Sequence, residues 1–599
     1  MAGWSCALES QNSRRRWLLR YVEFLYGAMT SQPVVSSQAA TLLVYSDSEA
    51  LRVIASPEFQ SQWRALAHKC PWGTALQTPE FACTWYQCYE EVYRPLILVR
   101  YAVSGEMDGL MALATERASG KLTFAGAHQA EYNVWLALPG EQTFIGEALE
   151  RLRQLGFSSL TFSYLPPGTP LEWLQTGWAH RSTIRVAPKP LLTVDNAESV
   201  RDSLNKKKNR RRLEKLQADG PLSFVELQTP DELDAYYDEL MDFYDFRTGA
   251  IYGRCPFRED PRKRAFYRAL MAEGGLLHVG VMKVGEQLVS AHIGIRNKHE
   301  VLMVLVGHSP FLGTYSPGKL HILQLGLLLH QEGFSSLDLT PGGDAYKEDR
   351  ADRYEEAYVL SIFLDSKAWT RHNLASTVRS VGKKIAGILH LDKETLSRWR
   401  SHPIRSLVSL FSSIKDRVWS STEMRFYRAK ANVVQTLCEA GVRRNNLRHL
   451  LSYEAVDRSS PSKQEFLRDA ILRIDSGAHA YSTIHGDVLV NCGWVTPRTS
   501  KSFIPEVQHT YEYPPNTVLL QQFCTHPAYR RQGLCSRTLK QILNDAAAVG
   551  SVDFVYIAVP AGNRAARRMI EKAGFTYQNS IIREVQFGAA KIKVVTGSA

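Results

Sequence analysis

The sequence lacks any run of about 18 apolar residues, the length that a membrane-spanning helix needs, so we expect no spanning helix. It also lacks a Cys-x-x-Cys pair. Its 9 cysteines are odd in number and scattered, which indicates neither a disulfide framework nor a zinc site. We therefore expect a cytoplasmic protein with reduced thiols and without a metal.

Positive charge is in modest excess. Lys and Arg together number 72, and Asp and Glu 60, which gives a net charge of +12 over 599 residues. This balance favours anionic partners, such as nucleotide phosphates, nucleic acid or a membrane surface, without selecting one of them. With 44% apolar and 22% charged residues, the composition excludes wholesale disorder and a collagen-like chain.

The N-terminus has some features of a targeting segment. Three arginines at 14–16 precede a short apolar stretch, as in a signal peptide. Arg20 and Glu23 interrupt that stretch, which argues against secretion. A start at Met29 in place of Met1 is the alternative explanation for the segment.

The predicted elements divide the chain into units of mixed α/β (α+β) structure. The second unit repeats the element order of the first: helices, a meander of strands, a helix and a strand. A basic stretch with several serine pairs then indicates a linker with helices. The expected boundaries are 1–48 for an N-terminal extension, 49–195 and 196–365 for two halves, 366–425 for the linker and 426–599 for a C-terminal domain.

The strongest motif follows a strand predicted over 518–524. An arginine-rich turn that contains Gly533 leads from this strand into a helix predicted over 536–547. The N–H groups at such a helix start can hold an anion, and glycine lets the backbone approach phosphate oxygens closely. For this motif taken alone, a surface turn with solvated arginines is the alternative.

A second motif, over 563–575, follows the next predicted strand. Together with His526-Pro527, the two motifs resemble the GNAT superfamily of acyl-CoA-dependent N-acyltransferases, over about residues 425–590. The resemblance implies that acetyl-CoA or another acyl-CoA is the co-substrate. It implies a pyrophosphate loop at Arg530, Arg531, Gln532, Gly533, Leu534, Cys535 and Ser536, a pantetheine strand at Phe523, Cys524 and Thr525, and a pantetheine contact at Asn563.

One position departs from this family. The tyrosine that often serves as general acid is replaced by Ile570, so nothing there can protonate the leaving thiolate. Candidates for a general base precede the core strand, and they are Glu506, His509 and Glu512. For each of the three, an exposed polar residue without a catalytic role is the alternative.

Residues 50–365 carry a different resemblance, to the bacterial acyltransferase family associated with cellulose and exopolysaccharide biosynthesis and to its Fem-type aminoacyltransferase relatives. It implies two GNAT-like halves in tandem, and hence three GNAT-like units in the chain. The motifs that carry it are Gln77-Thr78-Pro79-Glu80-Phe81, the basic string 206–213, Tyr315-Ser316-Pro317-Gly318-Lys319-Leu320 and Asp338-Leu339-Thr340-Pro341-Gly342-Gly343-Asp344-Ala345-Tyr346-Lys347.

These motifs supply further candidate residues. Lys206, Arg210 and Arg211 form either a clamp for a phosphorylated ligand or RNA, or a solvated basic helix. Ser316 and Gly318 stand at a helix start that suits an anion, although a plain helix start is equally consistent. The other candidates are His292 as a substrate contact, or a satisfied core histidine, and Asp344, Tyr346 and Lys347 as catalytic groups, or a structural ion pair.

We therefore expect an acyl-CoA-dependent N- or O-acyltransferase acting on a sugar or amino-sugar intermediate of cell-surface polysaccharide biosynthesis, the acceptor being given by family analogy. Expected partners are a small amine or sugar acceptor, and a membrane surface or a polysaccharide synthase. Two alternatives stay open. An aminoacyl-tRNA-dependent Fem-type transferase would use the basic string, and a non-catalytic coenzyme A-binding regulator would explain Ile570.

Overall fold

The computed structural model describes residues 41–388, 419–431 and 441–596, apart from 219, 343, 344, 458, 459, 498, 587 and 588. Among these residues, no helix combines the length and the apolar content needed to cross a bilayer. The two alternative starts and much of the predicted linker lie outside them. Within them the predicted mixed α/β class is confirmed.

An antiparallel sheet covered by helices forms the first part of the fold. Its elements are β1 (Thr41–Ser46), α1 (Asp47–Ile54), α2 (Pro57–Lys69), α3 (Pro79–Cys88), β2 (Tyr93–Tyr101), β3 (Met107–Glu116), β4 (Leu122–Phe124), β5 (Leu136–Ala137) and α4 (Phe144–Gln154). The strands follow the order β1-β2-β3-β4, and β5 also pairs with β3. Helix α3 begins at Pro79 behind its N-cap Thr78, as the sequence predicts. Trp63, Trp85 and Trp135 are fully buried in this core.

A second sheet is built from residues 159–363, in the order β6-β13-β7-β12-β11-β10-β9-β8. The predicted meander is confirmed by its antiparallel strands β9, β10 and β11. The elements are β6 (Ser159–Leu165), β7 (Ser182–Thr193), α5 (Ala197–Asn205), α6 (Lys207–Gln217), β8 (Leu222–Leu227), α7 (Pro230–Tyr252), α8 (Pro256–Glu259), α9 (Arg262–Ala272), β9 (Leu277–Val284), β10 (Gln287–Asn297), β11 (Glu300–His308), α10 (Pro317–Gln331), β12 (Ser336–Asp338), α11 (Ala345–Glu348), β13 (Arg353–Phe363) and α12 (Ser366–Ile388).

A third sheet follows the order β15-β16-β17-β20-β21-β14-β22-β23, with β18 and β19 forming a separate hairpin. Its elements are β14 (Trp419–Lys430), β15 (Arg443–Arg444), α13 (Leu447–Leu451), α14 (Lys463–Asp475), β16 (His479–His485), β17 (Val488–Thr496), β18 (Lys501–Ile504), β19 (His509–Glu512), β20 (Thr517–Thr525), α15 (Leu534–Ala548), β21 (Phe554–Pro560), α16 (Arg564–Lys572), β22 (Thr576–Gln586) and β23 (Ala589–Thr596).

The second and third sheets share one substructure, a strand, a helix and a parallel strand. In the second sheet it is β11-α10-β12, and in the third it is β20-α15-β21. In both cases the helix is entered through a residue in the left-handed region: Ser316 at φ 52° and Gly533 at φ 76°. The two helix N-termini that the sequence singles out therefore occupy equivalent places in their sheets.

Three features differ from the sequence interpretation. The predicted basic helix over 201–217 is broken at Lys206, whose extended ψ of 131° separates α5 from α6. Strand β6, assigned by sequence to the first half, pairs with β13 in the second sheet. Strand β14 overlaps the predicted linker, yet it lies between β21 and β22. In the last two cases pairing with residues distant in the sequence decides the position, and local pattern does not carry that information.

The second and third sheets are joined through helices. Helix α7 packs against α13 and α14, and their buried leucines belong to one apolar cluster with the core of α7. The helices approach closely at Gly249 of α7, where an added Cβ would lie 2.7 Å from Leu467 Cδ1 of α14. A glycine at this contact thus lets the two helices pack directly.

Gly249→Leu is expected to lower the melting temperature of the full chain by at least about 3 °C, because overpacking a helix contact typically costs about 1–3 kcal/mol. The matched control is Gly146→Leu on helix α4, where an added Cβ meets nothing within 4 Å. That change should be neutral or stabilising, since leucine favours a helix over glycine. Differential scanning fluorimetry compares the two, and equal melting temperatures would contradict the close packing.

Candidate functional site

The parallel strands β20 and β21 separate at their carboxyl ends. They pair over Thr517–Leu520 and Phe554–Ile557. Beyond these residues β20 continues along β17, and β21 continues along β14. The separation opens a gap between two neighbouring strands, at the edge of an α/β sheet where ligands generally bind.

A β-bulge at Gln522 changes the direction of β20 beside this gap. Cys492 and Trp494 of β17 face Cys524 and Gln521 of β20, so β20 carries an extra residue there, and Gln522 has a φ of 43°. A Cβ on Gly493 would lie 2.7 Å from the ring of Phe523, so the glycine makes room for that ring. The bulge therefore sets the direction of the backbone at the predicted pantetheine strand.

Asn491, which the sequence analysis does not single out, holds this strand to the helix behind it. Its side chain is buried and accepts a hydrogen bond from Thr538 Oγ1 of α15 at 2.7 Å. Its Nδ2 donates to the Cys524 carbonyl at 2.9 Å and to Thr525 Oγ1 at 2.8 Å. A polar residue within the apolar strand β17 is the signal in the sequence that could have indicated it.

The turn before α15 presents the predicted pyrophosphate loop to solvent. Arg530, Arg531, Gln532 and Gly533 are exposed, and Arg531 and Gly533 both adopt positive φ. The first N–H groups of α15 follow directly, which is the arrangement that binds phosphate groups in proteins. The other predicted loop residues begin the helix itself: Leu534 is buried, and Cys535 and Ser536 are half-buried.

Asn563 and Ile570 of helix α16 differ in their exposure to solvent. Asn563 is exposed at the N-terminus and caps the helix by accepting a hydrogen bond from Ala566 N at 3.1 Å. Ile570 is fully buried in the apolar cluster between α16 and the sheet. The residue at the family's acid position is therefore part of the core.

A cleft of about 630 Å³ adjoins the end of β20. Its walls are the end of β20, the strand β17, the helix α14 and the loop that precedes α14. Tyr453 and Phe466 stack within it, with ring centroids 4.0 Å apart. The residues that line it include Tyr453, Glu454, Asp457, Glu465, Phe466, Asp469, Trp494, Gln522, Phe523, Cys524, Thr525, His526 and Arg530.

The lining of the cleft is acidic, although the chain as a whole is basic. Asp469 pairs with Arg473 at 2.7 Å, and Arg473 lies over the ring of Trp494. Glu465 accepts a hydrogen bond from Ser462 N in a capping box. Glu454 is exposed on the cleft wall. The cleft thus offers carboxylates and aromatic rings, which suit an ammonium group or hydroxyls.

The predicted base candidates lie away from this lining. Glu506 is exposed, His509 is half-buried, and neither lines the cleft. Glu512 is exposed on the hairpin β18–β19 and pairs with Lys501 at 2.6 Å. A carboxylate that does line the cleft is Glu454, which is far from these residues in the sequence.

The basic string 206–213 lies close to the start of helix α10 in the second unit. Lys319 stands on α10, and burial together with the neighbouring cations Arg350, Arg212 and Lys206 lowers its pKa. Lys206, Arg210 and Arg211 are exposed on the break between α5 and α6 and on α6 itself. Cations thus gather at the start of α10, at the place equivalent to the loop before α15.

Other predicted residues of the second unit have different surroundings. His292 is fully buried between two histidines, so the sequence prediction of a substrate contact is corrected to the alternative, a hydrogen-bonded core residue. Lys347 is buried and donates to the Thr340 carbonyl at 3.0 Å, which ties the ends of its loop together. Asp344 lies outside the described residues, and of Tyr346 the structure describes the backbone.

A separate cleft of about 590 Å³ lies between the first and second units. His128, Glu131, Asp260 and Lys263 line it. Burial raises the pKa of Glu131 and lowers the pKa of Lys263. The first and second units therefore have a polar cavity of their own. Its lining residues share none with the cleft beside β20.

Comparison with known proteins gives two family matches. An acetyltransferase (GNAT) domain model matches residues 204–348, and an acetyltransferase (GNAT) family model matches residues 447–575. Curated proteins give no match. Among solved structures, FemX is similar at 9% identity and a TM-score of 0.36, covering 50% of this chain and 95% of FemX. L-PGS from Bacillus licheniformis is similar at 12% identity and a TM-score of 0.34, covering 52% and 92%.

The two family matches contain the two strand-helix-strand substructures, β11-α10-β12 and β20-α15-β21. They define the class of protein as an acyltransferase. The chain carries an acetyltransferase (GNAT) domain in its central part and another at its C-terminus.

Proposed function

We propose that the C-terminal GNAT domain transfers an acyl group from an acyl-CoA to the amine of an amino sugar. The position of the acidic cleft is the observation that carries this proposal. One wall of the cleft is the end of β20, the strand that leads into the phosphate-binding turn before α15. Donor and acceptor sites would therefore meet at one strand, and positioning would supply much of the rate.

The residues divide the chemistry between them. The start of α15 holds the pyrophosphate, and a backbone N–H between Phe523 and Thr525 stabilises the oxyanion, an effect often worth about 3 kcal/mol. The amine loses a proton as its nitrogen bonds to the carbonyl carbon, and we assign that proton to Glu454. The C–S bond then breaks, and the thiolate takes its proton from water, because the buried Ile570 cannot donate one.

The chemistry of the cleft supports the amino-sugar acceptor. Carboxylates accept hydrogen bonds from hydroxyl and ammonium groups, and the half-buried rings of Tyr453 and Phe466 suit the apolar face of a sugar ring. We place this reaction in cell-surface polysaccharide biosynthesis and in the cytoplasm. Among the described residues, Cys524 and six further cysteines are free thiols, which supports a reducing compartment.

With acetyl-CoA and the full chain, glucosamine is expected to release free coenzyme A at least about tenfold faster than glucose, because an amine is the better nucleophile. A thiol reagent measures the release, and mass spectrometry identifies the N-acetyl product. Coenzyme A release without a dependence on the amine would contradict the acceptor class. No release across a panel of free and nucleotide-linked amino sugars would overturn the enzymatic proposal in favour of the regulator.

Glu454→Gln is expected to lower kcat/KM for the amine by about 100-fold, the usual contribution of a general base, while binding of acyl-CoA is kept. The matched control is Glu512→Gln, a base candidate from the sequence that lies outside the cleft. It should leave the rate within about twofold, as expected for a surface change. The reverse ranking of the two variants would place the base on the hairpin β18–β19.

The cations at the start of α10 support a further role for the central GNAT domain. We propose that it binds a phosphorylated part of the donor or acceptor through Lys319 and the neighbouring Lys206 and Arg212. The Fem-type alternative would use the same cations for tRNA. Strong tRNA binding that weakens steeply with salt would favour that alternative.

A further inference from the structure

Three histidines form a continuous buried row in the second sheet, from β9 across β10 to α10. His278 Nδ1 lies 2.9 Å from His292 Nε2, and His292 Nδ1 lies 2.7 Å from His321 Nε2. The row ends at Ser290 Oγ, 2.9 Å from His321 Nδ1. All three imidazoles are fully buried, and burial lowers the pKa of each, so the rings are neutral.

The row leaves one nitrogen without a partner. Each neutral ring has one N–H, and each contact in the row takes one proton. His278 Nε2 is a buried atom that meets no partner in hydrogen-bonding geometry within the described residues. Glu332 Oε2 lies 3.3 Å from it, out of line for a hydrogen bond. If the Nδ1 of each ring donates to the next, His278 Nε2 carries a lone pair close to this carboxylate.

Two carboxylates stand in front of that nitrogen. Glu226 of β8 and Glu332 at the end of α10 bring their oxygens within 4.8 Å of His278 Nε2 and of one another. Their side chains are 16% and 22% exposed, so both are partly withdrawn from water. Arg296 Nη2 pairs with Glu226 Oε1 at 2.5 Å and lies 3.6 Å from Glu332 Oε2. Glu226 Oε2 and Glu332 Oε1 are the oxygens that face a further cation without this contact.

We propose that Glu226, His278 and Glu332 bind a divalent transition-metal ion, with zinc as the fitting probe. One imidazole and two carboxylates are common zinc ligands, and water can complete the tetrahedron. His292 and His321 would orient His278 from behind, as partners in the second sphere of metal sites do. Consecutive ligands among these three residues are more than fifty residues apart in the sequence, so no short spacing motif predicts the site.

The bound ion would fasten three elements to one another. It would link β8, β9 and the end of α10, whose opposite end carries the cation cluster. Zinc would also reduce the repulsion between the two carboxylates, which lie against the single cation of Arg296. The ion is thus expected to stabilise the second sheet without taking part in acyl transfer at β20.

Metal analysis of the full chain tests the site independently of the transferase activity. The chelator-treated protein is incubated with zinc, desalted and analysed by mass spectrometry for metals. We expect about one zinc per chain, and a melting temperature that rises with zinc by several degrees. With Glu332→Gln, a half-exposed position, zinc affinity should fall at least about tenfold, and the rise should disappear.

Two control variants separate this site from surface binding. Glu286→Gln removes an exposed carboxylate at the turn between β9 and β10, and His299→Gln removes an exposed imidazole before β11. Both should bind zinc as the unaltered chain does. Cobalt should give a visible absorption band in the unaltered chain that Glu332→Gln lacks. A folded chain that takes up no zinc, or equal zinc uptake by Glu332→Gln, would overturn the proposal.

Discussion

Gly533→Trp is expected to weaken acetyl-CoA binding at least about 100-fold, a loss of about 2.8 kcal/mol at 1.4 kcal/mol per tenfold. Gly533 has a φ of 76°, where a side chain costs about 1–2 kcal/mol. A Cβ at this position meets nothing within 4 Å, so the indole would project into the open space before the first N–H groups of α15. Calorimetry with coenzyme A on the full chain measures the loss.

The matched control for this change is Gly550→Trp, at the opposite end of the same helix. Gly550 also has a positive φ, 67°, and a Cβ there also meets nothing within 4 Å. It should cost similar stability and keep coenzyme A affinity within about twofold. If Gly533→Trp binds as tightly as Gly550→Trp, the donor site is not at α15. Residual weak binding in Gly533→Trp would point to the cation cluster before α10.

Asn491→Leu is expected to produce the second large effect, a rise of at least about tenfold in KM for acyl-CoA together with a loss of about 2–4 kcal/mol in stability. Three hydrogen bonds are lost, and the Thr538 hydroxyl remains buried without its acceptor. Because Asn491 fixes the Cys524 carbonyl, the strand edge that we propose for the thioester loses its position. Steady-state kinetics and chemical unfolding measure the two quantities.

A stability loss alone would not identify a positioning role, so a control that removes a hydrogen bond to another part of α15 is needed. Tyr481→Phe removes a hydroxyl that donates to Asp545 at 2.6 Å, near the other end of α15. It should lower stability by about 1 kcal/mol and leave KM for acyl-CoA unchanged. An Asn491→Leu variant whose KM matches that of Tyr481→Phe would show that Asn491 is merely structural.

The strand, turn and helix around Gly533 could be predicted from the sequence because their arrangement is local. The strand, the turn with Gly533 and the helix follow one another directly, so their order in the chain is their order in space. Asn563 follows on the next strand-helix connection for the same reason. These residues needed no long-range pairing to be recognised.

The acceptor cleft could not be predicted in this way. Its walls come from the loop before α14, from β17 and from β20, and sheet pairing brings them together. Nothing in the sequence around Glu454 therefore predicts a role in the site. Glu512 is predicted as a base because it precedes the core strand β20 in the sequence. The buried row of histidines is hidden for the same reason, since His278, His292 and His321 belong to two strands and a helix.

The contact of α7 with α14 also bears on how the chain unfolds. The apolar cluster of the first two units continues without a break into Leu447, Leu467 and Trp494 of the third. Helix α14, which forms one wall of the proposed acceptor cleft, thus packs against α7 of the second unit. Regions that share a core lose it together, so these parts should melt in one cooperative transition. A C-terminal domain cut out before β14 would accordingly keep its sheet and lose the support of α14.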